Sequence, residues 1–218
     1  MLSDSAAVIG REILAFLLAA ACPGCDRPGT LLCDGCLLRL APVNLRSTTP
    51  GGLPVVAALS YEGVAARCIR RLKEEGATLL AHPLGEALAQ ASREAGAAGR
   101  TIVPVPTTGS AFRRRGYRVP EVLARRAGLT PRRLLAPARG TADQRALGRE
   151  ERASNVAGSM RATGGATGVG EVLIVDDVVT TGATLDEAAR ALRAAGMRPV
   201  GALALAATPR RRHSGNTG

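Results

Sequence analysis

The sequence predicts an α/β fold, a parallel sheet flanked by helices, with a small cysteine-rich region near its N-terminus. Three observations predict it. Short apolar segments alternate with amphipathic helical segments from residue 55 onward. Residues 172–175 are continuously apolar, which is typical of a strand buried on both faces of a parallel sheet. Two C-x-x-C pairs lie between residues 22 and 36. A length of 218 residues fits one such domain with a small addition.

The predicted elements follow from apolar spacing and from glycine and proline positions. Residues 46–54 predict a linker, and residues 140–170 a long polar loop containing a hairpin. Helices are expected at 63–75, at 79–95 with an interruption near Pro83, at 121–127 and at 184–195. Strands are expected at 55–60, 101–105, 172–175 and 200–206, with a possible buried strand at 134–135. The predicted domains are residues 1–45, 46–209 and a disordered basic tail at 210–218.

The positive charge is concentrated in one part of the chain. The formal net charge is +11, and residues 100–161 alone contribute fourteen basic and four acidic side chains. All basic residues in that stretch are arginine, and Lys73 is the single lysine of the protein. Arginine binds phosphate through a planar fork, so the partner is expected to be an anion, either a phosphorylated small molecule or a nucleic acid. With only two Tyr, two Phe and no Trp, the chain lacks the aromatic residues of a base-stacking platform.

An apolar run at residues 13–21 could suggest a secretory signal. It is short, carries Asp4 and Glu12 before it, and is flanked by only one basic residue, Arg11. We expect a buried or amphipathic helix there instead. No stretch reaches membrane length, so the prediction is a cytoplasmic protein without membrane insertion.

Four cysteines form the first candidate site, a zinc knuckle. Cys22, Cys25, Cys33 and Cys36 are spaced so that four thiolates can surround one Zn²⁺ in a closed, structural site. The alternatives are two disulfides or free thiols, but paired C-x-x-C motifs in an intracellular chain more often bind metal. The remaining thiol, Cys68, lies on the apolar side of a predicted helix and is assigned to the core.

The second candidate site follows the apolar strand at 172–175. Asp176 and Asp177 come next, and Thr180, Thr181, Gly182, Ala183 and Thr184 then lead into a helix. Backbone N–H groups and hydroxyls at a helix start form a phosphate cradle, and ligands bind at the carboxyl ends of parallel strands. Two carboxylates suit sugar hydroxyls or Mg²⁺. The pattern predicts a phosphorylated sugar site; the alternative is an ordinary acidic turn before a helix.

These thirteen residues, 172–184, resemble the 5-phosphoribosyl-1-diphosphate (PRPP) signature of type I phosphoribosyltransferases. Further segments extend the resemblance to the ComF family of competence-associated proteins with an N-terminal zinc finger. They are the cysteines, residues 61–63, Lys73, residues 103–106 and 115–117, Gln144 and residues 149–156. The chain departs from the family's R-G-F-N-Q pattern, since Arg118 and Val119 follow Tyr117. The resemblance implies a type I phosphoribosyltransferase core and, in some members, a part in handling single-stranded DNA.

The resemblance also assigns residues. It implies that Asp176 and Asp177 meet the ribose hydroxyls, that residues 180–184 meet the 5-phosphate, and that Pro106 and Thr107 lie near pyrophosphate. Mg²⁺ is expected to accompany PRPP. Lys73 and Arg115 are candidate cations for the leaving group, while Arg113, Arg114 and Arg118 are candidate nucleic-acid contacts. Three hypotheses remain: an active phosphoribosyltransferase, a PRPP- or nucleotide-binding protein without turnover, and a single-stranded DNA-binding partner of competence proteins.

Overall fold

The computed structural model describes residues 21–138, 156–164 and 169–209. The predicted apolar helix before Cys22, the resemblance segment around Gln144 and the C-terminal tail therefore lie outside the described residues. The helices are α1 (Asp34–Leu38), α2 (Gly63–Arg70), α3 (Ala81–Glu94), α4 (Gly109–Arg115), α5 (Val119–Arg126) and α6 (Ala183–Ala194). The strands are β1 (Leu45–Thr48), β2 (Pro54–Ser60), β3 (Thr101–Pro104), β4 (Leu135–Pro137), β5 (Met160–Ala162), β6 (Glu171–Val179) and β7 (Arg198–Ala207). A π-helical turn, Arg71–Glu75, follows α2 directly.

Five strands form one sheet in the order β1-β2-β7-β6-β3. The pairs β2–β7, β7–β6 and β6–β3 are parallel, and β1 is antiparallel to β2 at the edge. The predicted class, a mostly parallel sheet with flanking helices, is confirmed. Because the parallel strands share one direction, the segments that follow β2, β3, β6 and β7 all begin at the same edge of the sheet.

Each face of the sheet is covered by its own apolar cluster. One cluster joins α2, α3 and α5 to the sheet and includes Leu72, Leu88, Leu123 and Val175. The other joins α6 and the β4–β5 hairpin to the opposite face. Cys22 and Cys36 belong to the first cluster, so the cysteine region packs directly onto the sheet domain.

Most predicted elements are confirmed, but several bounds change. The segment predicted as a linker at 46–54 contains β1 and a turn, and the predicted domain boundary after residue 45 falls inside this strand. The linker prediction was wrong because an edge strand of four residues, alternately half-buried and exposed, has little apolar signal. Pro83 does not interrupt α3, since it lies in the first turn, where the missing N–H removes no helical bond. Helix α4 was not predicted and ends in three arginines.

Of residues 140–170, predicted as a loop containing a hairpin, the structure describes 156–164 and 169–170. There β5 pairs antiparallel with β4, which precedes the predicted loop. A buried carboxylate fixes this strand pair to α6. Glu187 Oε1 accepts from the backbone N–H of Met160 at 2.9 Å, and Arg190 donates to both the Met160 carbonyl and Glu187. These hydrogen bonds lower the pKa of Glu187, with the Arg190 contact the largest cause.

Within the described residues, no helix combines the length and apolar character needed to cross a bilayer.

Candidate functional site

The four predicted ligands of the cysteine cluster lie together. Their sulfur atoms are all within 4.8 Å of one another, with Cys22 Sγ 3.7 Å and Cys25 Sγ 3.6 Å from Cys33 Sγ. A tetrahedral Zn²⁺ with Zn–S bonds of about 2.3 Å holds its sulfurs about 3.8 Å apart, so the cluster is compatible with zinc. All five cysteines are free thiols in the structure, which therefore does not contain the two disulfides of the alternative interpretation.

Burial and hydrogen bonds shift the pKa values of Cys22 and Cys36, two thiols of the cysteine cluster, in opposite directions. Burial acts to raise the pKa of Cys22, but backbone N–H groups of Cys33, Gly24 and Cys25 outweigh it and lower the pKa to about 6. Burial and the neighbouring thiols raise the pKa of Cys36. Gly24 permits the close packing, because a Cβ there would lie 2.6 Å from Cys36 Sγ. The thiol of Cys22 is therefore ionised more readily than an ordinary cysteine, and the thiolate is the form that binds a metal.

The second site lies at the carboxyl edge of the sheet. Strand β6 does not stop before the acids, as the sequence suggested, but continues through them to Val179, paired with β7 throughout. The loop Thr180-Thr181-Gly182 then leads into α6, with the two threonines exposed. Gly182 adopts φ +89 and lies against Thr49, so an added Cβ would approach Thr49 Cγ2 to 2.9 Å. Thr180, Thr181 and Gly182 line one cavity together with Thr48 and Thr49. The Ala183 N–H, at the start of α6, donates to Thr181 Oγ1 at 3.3 Å.

Asp176 and Asp177 are adjacent in sequence but differ in surroundings. They are 8% and 9% exposed. Ile174 belongs to the α6-side cluster and Val175 to the opposite cluster, so alternation along the strand directs the two carboxyls to opposite faces. Burial raises the pKa of Asp176 to about 8, and the charge of Asp177 acts in the same direction. The Oδ1 atom of Asp176 accepts from the backbone N–H of Asp177 at 2.8 Å.

Lys73, 104 positions away in sequence, reaches the second acid. Its Nζ lies 2.8 Å from Asp177 Oδ1, in an ion pair whose side chains are 26% and 13% exposed. Lys73 comes from the π-helical turn after α2, on the same face as Val175. The structure therefore brings together the predicted lysine and the predicted acids, which sequence spacing alone could not do.

Pro106 and Thr107, predicted near pyrophosphate, follow β3 at the same edge. β3 pairs with β6 up to Pro104 opposite Val175, and Val105 N–H donates to the Val175 carbonyl at 2.8 Å. The next hydroxyl, Thr108 Oγ1, caps α4 by accepting from Ala111 N–H at 3.3 Å. The two half-buried residues 106 and 107 thus begin a turn beside the acids.

The four predicted arginines separate into different surroundings. Arg113 and Arg114 are exposed on α4. Arg118 stacks over the Phe112 ring at 4.2 Å and lies 3.7 Å from Glu121. Arg115 Nε donates to the backbone carbonyl of Lys73. Whether these arginines meet pyrophosphate or nucleic acid stays a prediction.

Sequence reasoning missed two residues that fix the threonine loop. Thr49 Oγ1 donates to Asp186 Oδ1 at 2.5 Å, and Gly51 N–H donates to Asp186 Oδ2 at 2.8 Å. These bonds tie the turn after β1 to the first turn of α6. The sequence indicates only that an acid, Asp186, lies early in a predicted helix. It does not indicate the partners of this acid, because they lie more than 130 positions away.

The comparisons with known proteins bear on this edge of the sheet. A family model described as the phosphoribosyl transferase domain matches residues 141–215, about a third of the chain. That segment is phosphoribosyltransferase-like. It contains β6 with both acids, the threonine loop, α6 and β7.

The orotate phosphoribosyltransferase of Aeropyrum pernix is among the solved structures that this chain matches. It is 17% identical, with a TM-score of 0.36, over 78% of this chain and 89% of that chain. No curated protein matches the chain.

Proposed function

We propose that this protein binds PRPP together with Mg²⁺ at the carboxyl edge of its sheet, as phosphoribosyltransferases do. The observation that carries the proposal is one juxtaposition. Asp176, Asp177 and the threonine loop adjoin Lys73 and the turn after β3 at a single edge. The phosphoribosyltransferase-like character of residues 141–215 supports the same assignment.

Each group has a chemical part in this proposal. Thr180, Thr181 and the N–H groups at the start of α6 hold the 5-phosphate. Asp176 and Asp177 meet the ribose hydroxyls. Lys73, Pro106 and Thr107 lie toward the pyrophosphate, which is where positive charge stabilises the developing charge of a leaving group. Mg²⁺, which prefers carboxylate and phosphate oxygens, arrives with the diphosphate.

We further propose that the cysteine cluster holds one structural zinc ion, and that the protein is ComF-like, transferring the phosphoribosyl group to an acceptor not identified by the site. Two features support the ComF assignment: a four-cysteine cluster packed on the domain, and its place before the phosphoribosyltransferase-like segment. A cytoplasmic location and a link to DNA uptake belong to this proposal.

The test is calorimetric titration with PRPP in the presence of Mg²⁺. Asp177→Asn should weaken binding at least about tenfold, the effect of losing one charged contact. Asp176→Asn should also weaken binding, because an amide nitrogen replaces one of the oxygens that meet the ribose hydroxyls. Glu86→Gln, on the exposed surface of α3, is the matched control and should bind like the parent. If the unaltered protein gives no heat with PRPP and Mg²⁺, or if both aspartate variants bind normally, the proposal is wrong.

A second candidate function, binding of single-stranded nucleic acid, is favoured by one observation. Arg113 and Arg114 project from α4 and form no ion pair within the described residues. In the same buffers, binding of a labelled oligonucleotide should weaken steeply between about 50 and 200 mM salt. Replacing both arginines by alanine should flatten that dependence, and an unchanged slope excludes these two residues.

A further inference from the structure

The turn that carries Lys73 has an unusual backbone. Residues Arg71–Glu75 form a π-helical turn, which continues α2 and ends at Gly76 with φ +72. Single π-helical turns interrupt the regular hydrogen-bond ladder and leave backbone carbonyls available to other donors. Here Leu72 is fully buried, so its side chain anchors the turn in the core while Lys73 faces the site.

Two side chains from the α4 segment use the free carbonyls. Tyr117 donates its hydroxyl to the Leu72 carbonyl, and Arg115 Nε donates to the Lys73 carbonyl. Gly116 between them adopts φ +78, which turns the chain so that both side chains reach the same turn. Burial raises the pKa of Tyr117, so the hydroxyl keeps the proton that it donates. Neither residue contacts Asp177; both contact the backbone that presents Lys73.

The cysteine region holds the other end of the turn. Arg71 Nη2 lies 2.6 Å from Asp26 Oδ1, and Asp26 directly follows Cys25. The backbone N–H of Asp26 donates to the Cys22 carbonyl at 2.8 Å. The first residue of the π-helical turn is therefore tied to the cysteine cluster, and its second and third residues to the end of α4.

We propose that Arg115 and Tyr117 are positioning residues, which clamp the π-helical turn so that the Lys73 ammonium is presented to Asp177 at the PRPP site. Asp26 completes the clamp from the cysteine region. The effect of this clamp on PRPP binding rests on the proposed function, whereas the contacts that hold the π-helical turn do not require PRPP. Lysine carries its point charge on a flexible four-carbon stem, so a fixed backbone limits the positions that its ammonium group can reach.

The experiment exploits the fact that Lys73 is the only lysine in the chain. Reductive methylation followed by intact-mass measurement reports the reactivity of this one side chain, after separate counting of the N-terminal amine by peptide mapping. Tyr117→Phe removes only the hydroxyl. Arg115→Met removes the guanidinium donors and their charge while keeping an unbranched side chain, and the Arg114→Met control removes the same charge from a neighbouring position. Each should raise the methylation rate of Lys73 about three- to fivefold, the change expected when a part-buried ion pair opens.

Matched controls separate positioning from general destabilisation. Arg114→Met alters an exposed arginine of the same helix, and Tyr61→Phe alters a tyrosine outside the clamp. Both should leave the methylation rate unchanged, and thermal unfolding should show all four variants folded at the assay temperature. Asp177→Asn gives the upper limit, because it removes the carboxylate partner of Lys73 itself.

Two outcomes distinguish this inference from the proposed function. If Lys73 reacts at the parent rate in both Tyr117→Phe and Arg115→Met, the clamp is refuted, whatever the protein binds. If both variants expose Lys73 and the parent also binds PRPP, their PRPP affinity should fall by a similar factor. Should the parent not bind PRPP, the methylation result still decides the clamp, and only the proposed function fails.

Discussion

The threonine loop after β6 and the π-helical turn after α2 bring groups to the same edge of the sheet by different means. The loop draws its acids and hydroxyls from one short run, residues 176–184. The turn contributes one side chain, Lys73, and depends on donors 42 and 45 positions further along the chain. The loop's candidate groups therefore follow from local sequence, whereas the lysine's position follows from tertiary hydrogen bonds to backbone carbonyls.

The free energy of unfolding should change most when the buried leucine that anchors either region is replaced. Leu72 in the turn and Leu185 in the first turn of α6 are 0% and 1% exposed. Replacing either by alanine should lower the free energy of unfolding by about 2–5 kcal/mol, since both leave a cavity in a packed core. Chemical denaturation measures this.

The same pair of variants should differ at Lys73. Leu72→Ala should raise its methylation rate, because the turn loses its buried anchor, while Leu185→Ala should not. A loss below about 1 kcal/mol for Leu72→Ala would mean that the turn is not anchored by this side chain.

Most features of the threonine loop could be predicted from the sequence, but few features of the π-helical turn could. The acids and the threonines were predictable because residues 172–184 carry strand, turn and helix signals in succession. The parallel sheet was predictable from the alternation of strands and helices, but the order of its strands was not. The four cysteines were predictable from their spacing. Strand β1 was missed because its burial is only partial. The roles of Arg115 and Tyr117 were not predictable, because their acceptors are main-chain carbonyls, which no side-chain pattern reveals.

A smaller effect is expected at the glycines that end each region's turn. Gly76 and Gly182 both have positive φ, at +72 and +89. Alanine at Gly76 meets no atom within 4 Å, so Gly76→Ala should cost only the backbone term of about 1–2 kcal/mol. Gly182→Ala adds a contact of 2.9 Å with Thr49 and should cost clearly more. Equal losses in thermal unfolding would show that Thr49 moves aside freely.

The last prediction concerns the pH dependence of stability that Asp176 causes. Its pKa in the folded protein is about 8, raised by burial and by Asp177, whereas an unfolded aspartate has a pKa near 3.9. Between these values the folded state holds a proton that the unfolded state has released, so the free energy of unfolding should fall as pH rises through about 4 to 8. Asp176→Asn should remove this decline and stabilise the protein at pH 8. Since one pKa unit corresponds to about 1.4 kcal/mol, even part of the shift is measurable by denaturation.

Asp177→Asn sharpens the same experiment, because it removes the neighbouring charge and should move the decline of stability to lower pH. An unchanged profile in Asp176→Asn would show that this carboxyl does not titrate with folding. The raised pKa of Asp176 also changes the net charge expected for the two acids. At neutral pH Asp176 is mostly protonated and Asp177 is paired with Lys73, so the edge carries less negative charge than two bare carboxylates. The phosphorylated sugar of the proposed function would then meet less repulsion near the threonine loop than two ionised carboxylates would exert.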